Sequence, residues 1–191
     1  MSGRSEEPQN PTQKPLDTSQ TERLLTGECV HFLNSILAEL GKIVDPYSYN
    51  FLGIFRKAKD QRLLYTKRMT PEEVQRQRGL GGTNSIVGDP AFSIYIDEYQ
   101  AYESGDNGYT LIHELFHGAA GSGKGYTHTD MATAAYNAAQ ANSALFKEVQ
   151  RHGIKGLRQV RYTREGYVEA DDFYNASVFD NILRFGCPQP K

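Results

Sequence analysis

The sequence predicts a mostly helical α+β domain with a small antiparallel sheet beside one central helix. Three observations carry this. Apolar residues recur at helical spacing in several separated segments, one short segment alternates cleanly, and a His-Glu-x-x-His run sits inside a helical stripe. A chain of 191 residues supports one domain and can bury a sizeable core without staples. Apolar residues make up 38% and charged residues 23%, and the net charge is −2. So balanced a charge excludes bulk attraction to nucleic acid or to an anionic lipid surface. No apolar run approaches the ~18 residues of a membrane span.

The first twenty residues hold three of the eight prolines and almost nothing apolar. Such a stretch does not offset its ordering entropy, so 1–20 are expected to form a disordered arm and 21–191 a single domain. The arm lacks the apolar core of a signal peptide, and the compartment stays open, delivery within a larger protein included.

Cys29–Leu40 places Phe32, Leu33, Ile36, Leu37 and Leu40 on one helical face, with Gly41 as a stop. Tyr47–Phe55 is rich in Tyr and Phe but has no clear period. Thr70-Pro71-Glu72-Glu73 reads as a helix start, ended by Gly79. In Ala91–Asp97, Phe92, Ile94 and Ile96 alternate with Ser93, Tyr95 and Asp97, the pattern of a half-buried strand. A Gly/Asn/Asp turn then leads to a helix over Tyr109–His117. Glycines at 118, 121, 123 and 125 break it, and an Ala-rich helix is expected from Thr129 to Arg151. A short helix over Ala176–Phe185 comes last.

His113-Glu114-Leu115-Phe116-His117 carries the chemistry. Positions i and i+4 share a helix face, so both imidazoles can grip one Zn²⁺. Glu114 is then the candidate general base toward an activated water. His128 follows His117 by eleven residues across a glycine-rich reversal, where a third ligand would arrive. Asp130 is a rival for that place. With Thr127 as N-cap, however, Asp130 falls at the third helical position and has a capping-box role. Glu148, or an acid from Asp171–Asp172, is a further alternative.

These residues resemble the zincin metallopeptidases, in which the two His bind zinc, the Glu is the base and an edge strand holds an extended peptide. The resemblance spans Ala91 to Gly153. It implies His113 and His117 as metal ligands, Glu114 as catalytic base, Ala91–Asp97 as the substrate edge, and a minimal zincin-like fold. Where the metzincin pattern has Gly and a third His after the second ligand, this chain has Ala120 and Gly123. The run TLIHELFHGAAGSGKGYTHTDMATAAYNAA and the ending FDNILRFGCP are also similar to small metal-dependent domains that close bacterial Rhs (YD-repeat) proteins. That likeness puts His128 at a His/Asp ligand step. The function these features imply is hydrolysis of a peptide bond in a peptide or protein substrate. The alternative is a non-catalytic C-terminal module of a repeat or toxin-like protein, with a structural or vestigial metal site.

Other signals are weaker. Cys29 and Cys187, near the two ends of the folded part, are either bridged or unrelated thiols. The basic run from Arg151 to Arg164 reads more simply as a solvated surface than as a nucleic-acid patch. Asn175-Ala176-Ser177 fits a glycosylation triplet, a frequent pattern that carries no argument. His31 and His152 fit a core-edge residue and a helix C-terminal charge.

Overall fold

The structure is a computed structural model. It describes residues 13–43, 46–68, 70–72, 81–85, 92–97, 107–119, 126–152 and 170–191. Among the described residues the strands are β1 (Gln13–Pro15), β2 (Leu64–Lys67), β3 (Gly81–Ser85) and β4 (Phe92–Asp97). The helices are α1 (Ser19–Leu24), α2 (Gly27–Leu40), α3 (Phe51–Asp60), α4 (Asn107–Gly118), α5 (His128–Gln140), α6 (Ser143–Arg151) and α7 (Ala170–Gly186). The mostly helical α+β class is as expected, and α4 packs against β4 and β3.

The chain is ordered earlier than the sequence suggested. Gln13–Pro15 adds to the edge of β2, Leu16 N–H donates to the Leu64 carbonyl at 3.2 Å, and Leu16 and Thr18 are buried. One apolar anchor and a strand edge that accepts backbone pairing are enough to order Gln13–Gln20; Pro15 is tolerated because β1 is itself an edge strand. The rest of the expected arm, 1–12, lies outside the described residues.

The sheet is mixed rather than antiparallel, in the order β1-β2-β4-β3. β2 and β4 run parallel, with Leu64 beside Ile94 and Tyr65 beside Tyr95. Residues 68–91 between them are long enough for the crossover that parallel strands require. Because β4 has β2 on one side and β3 on the other, its backbone groups are taken up within the sheet. Ala91–Asp97 is therefore not a substrate edge. Tyr95 is also buried, with its ring centroid 5.9 Å from that of Tyr65, so β4 is covered on the side expected to face water.

The helical core follows the apolar stripes. α2 buries Cys29, Phe32, Leu33, Ile36, Leu37 and Leu40. α5 buries mainly alanines, whose small side chains let α2 and α7 approach it closely. The aperiodic Tyr47–Phe55 segment resolves into the start of α3, capped where the Asn50 side chain accepts from Gly53 N–H. The single long helix expected over Thr129–Arg151 is two. It stops at Ala141, and Asn142 caps a new helix by accepting from Leu145 N–H. Asn prefers such a cap to a helix interior because its side chain competes for backbone donors. The last helix is longer than Ala176–Phe185 at both ends. Of the helix expected after Thr70, Pro71 and Glu72 are helical, and the remainder lies outside the described residues.

Cys29 and Cys187 form a disulfide, with Cα atoms 4.6 Å apart and both residues fully buried. It ties the start of α2 to the residue after α7. Among the described residues, no helix is long and apolar enough to cross a membrane.

Candidate metal centre

Three histidines from two helices meet at one point. His113 and His117 lie one turn apart on the same face of α4, as the i, i+4 spacing requires. His128 is the first residue of α5, delivered by a cap the sequence specifies. Thr127 Oγ1 accepts from Asp130 N–H at 3.1 Å, and Asp130 Oδ2 accepts from Thr127 N–H at 3.3 Å. The three Nε2 atoms stand 3.1 Å (His113–His117), 3.0 Å (His113–His128) and 3.0 Å (His117–His128) apart. Ring centroids are 4.7–5.0 Å apart with the planes inclined by 57–70°, so the imidazoles surround a common axis instead of stacking.

The outer nitrogens set the tautomers. His113 Nδ1 donates to Asp180 Oδ1 at 2.7 Å, and His117 Nδ1 donates to the Tyr126 carbonyl at 2.6 Å. A neutral ring that donates from Nδ1 has its lone pair on Nε2. Both of these lone pairs therefore face the centre of the triangle and His128 Nε2, where either a metal ion or a proton on His128 can lie between them. Burial holds the His117 imidazole well below the usual His range, and the neighbouring His113 and His128 push it the same way against the Tyr126 carbonyl. It is thus neutral at pH 7, as a ligand must be. The three nitrogens lie close enough together to hold one metal ion. The carboxylate–His arrangement at Asp180 is the outer-shell partner that metal-binding histidines commonly have.

His113, His117 and His128 form the group able to hold a metal among the described residues. Glu114 lies beside His113 on α4 and is 9% exposed. Asp130 stays in its capping box, outside the group. Glu148 is on α6, paired with Arg151 at 2.7 Å, because the break at Asn142 ends the continuous helix that would have brought it back. The side chains of Asp171 and Asp172 lie outside the described residues, as does the basic run beyond His152. His31 is exposed, and His152 closes α6 through Nδ1 on the Glu148 carbonyl.

Sequence reasoning missed two contributors. Asp180 appeared only as a residue of a terminal helix, and its link to His113 crosses 67 positions with no local pattern to announce it. Asn175 stood out only as a glycosylation triplet. It is fully buried, and its Nδ2 donates to Thr129 Oγ1 at 2.8 Å, so it has no room for a glycan.

No protein-family model matches the chain, and no curated protein and no solved structure matches it either.

Proposed function

We propose that the chain is a zinc-dependent peptidase with His113, His117 and His128 as metal ligands and Glu114 as general base. The observation that carries the reading is the convergence of three Nε2 atoms within 3.1 Å of one another, with the buried Glu114 following His113 in the sequence of α4. Among the described residues the centre offers three nitrogens, the ligand count of a catalytic zinc site, whereas structural sites close with four protein ligands. A zinc ion held by His113, His117 and His128 would supply Lewis-acid activation of a peptide carbonyl and of water. Glu114 accepts the proton from the attacking water on its carboxylate and passes it to the departing amine nitrogen. Asp180 and the Tyr126 carbonyl keep two of the imidazoles in the tautomer the ligands need. β3 packs against α4 and, among the described residues, has a second edge without a strand, so an extended peptide would add there.

A second reading, a non-catalytic module with a structural or vestigial metal, draws on burial. His113 is 8% and Glu114 9% exposed, which narrows access. Glu114→Gln separates the two. The expected result is full metal loading with hydrolysis of a denatured protein substrate lost. A wild-type protein that loads zinc and cleaves no peptide in a diverse library would favour the second reading and sink the first.

A further inference from the structure

We propose that α7 is the outer shell of the metal centre, with Asn175 and Asp180 as positioning residues and the Cys29–Cys187 bridge as the anchor that keeps them in register. The inference rests on the three-histidine centre binding a metal. α7 reaches two of the three histidines by separate routes. Asp180 Oδ1 accepts from His113 Nδ1, and the neighbouring Phe179 sets its ring edge-on to the His113 ring at 5.5 Å. Asn175, fully buried, donates to Thr129 Oγ1, the residue that follows His128 at the start of α5. The first turn of α5 is thus held from inside by the Thr127–Asp130 box and from outside by Asn175.

The other end of α7 is fastened three times. Cys187 is bonded to Cys29 of α2, and its carbonyl accepts from Tyr109 Oη at 2.7 Å, on the same helix as His113 and His117. Gly186 lies so close to α2 that an added Cβ would collide with the Phe32 ring. Asp180 is seven residues from Cys187, about 10 Å along a helix axis. A rigid helix transmits the position of its anchored end to Asp180 and Asn175 over that distance. Reduction by a dithiol would break the S–S bond, leave two thiols carrying the two electrons and two protons, and convert the dithiol to its own disulfide. α7 then loses its covalent anchor, and His113 and the first turn of α5 lose a fixed support. Metal affinity in this protein is therefore coupled to the oxidation state of a bridge that contains no ligand.

The test is the zinc dissociation constant of the full chain, measured by competition with a chelating dye, together with the cobalt d–d spectrum and thermal melting. Asp180→Asn is expected to weaken zinc binding 10–100-fold, the usual cost of losing an outer-shell partner. Asn175→Ala is expected to weaken it about tenfold. Thr129→Val removes the acceptor while keeping the shape, so it should match Asn175→Ala and add nothing to it. The double variant Cys29→Ser/Cys187→Ser should weaken zinc binding about tenfold and alter the cobalt spectrum. Ile54→Ala, in the core of α3, a helix that contributes no residue to the centre, should lower the melting temperature and leave zinc affinity unchanged. Folded Asp180, Asn175 and Thr129 variants with wild-type affinity would overturn the positioning role. A folded double-serine variant with wild-type affinity would overturn the role of the bridge. A wild-type chain that binds no zinc or cobalt would instead overturn the metal centre itself, and this inference with it.

Discussion

Asp180 Oδ1 lies 2.7 Å from His113 Nδ1, joining a carboxylate on the last helix to the first histidine of the His-Glu-x-x-His run. That contact gives His113 a determined tautomer and ring angle. The Tyr126 carbonyl does the same for His117. Together they turn a sequence motif into a centre with a direction.

Removing a ligand should cost more than removing its partner. His113→Ala, His117→Ala and His128→Ala are each expected to weaken zinc binding by more than the 10–100-fold of an outer-shell loss. Asp130→Asn should leave a full complement of metal. Metal content by mass spectrometry after dialysis against a weak chelator checks both. An Asp130 variant stripped of metal beside a loaded His128 variant would reverse the ligand assignment.

Acid should destabilise the metal-free protein through His117. Its folded-state pKa is depressed, so below the ordinary value of 6.5 the unfolded chain binds a proton that the folded chain refuses. Stability then falls as pH drops from about 6.5 toward the folded-state value, with a slope of at most about 1.4 kcal/mol per pH unit from this group. His117→Gln should flatten that slope between pH 6.5 and 5 in urea titrations. An equally steep slope in the variant would rule His117 out as its source.

The bridge closes a loop across a sequence separation of 158. In the chain-entropy model its loss costs about 5 kcal/mol, an upper figure because a reduced chain retains some structure. Cys29→Ser/Cys187→Ser should therefore lower the urea midpoint substantially, and peptide mapping without reductant should recover one cross-linked pair. Two free thiols in protein made in an oxidising compartment would contradict the structure.

The cap that delivers His128 should matter twice. Thr127→Ala removes the side-chain acceptor for Asp130 N–H and is expected to cost about 1 kcal/mol of stability. It also frees the first turn of α5, so zinc affinity should fall as well. Thr127→Ser keeps the hydroxyl and should restore both, which a calorimetric titration beside a melting curve would read out.

Local chemistry was legible wherever the deciding atoms lie within a few residues of one another. The shared face of His113 and His117 follows from helix pitch. The Thr127–Asp130 box, the α2 stripe and the strand at Ile94 and Ile96 follow from short-range pattern in the same way. The break at Asn142 was local too, but an Ala-rich run on both sides masked it.

What the sequence by itself determined is the set of possible contacts: two histidines on one face, a capped helix presenting His128, two cysteines, and a mostly helical α+β class. Only the tertiary structure decided among them. It brought His128 rather than Glu148 to the centre, supplied Asp180 and Asn175 from α7, closed the bridge, and enclosed β4 between two strands. The physical reason is range. A cap or a helical stripe is settled by backbone geometry over one turn, whereas the choice of partner across 46 or 67 positions depends on how the whole core packs. Here that packing turns on an alanine-lined α5, narrow enough for α7 to come close and lay Asp180 against His113 and Asn175 against Thr129.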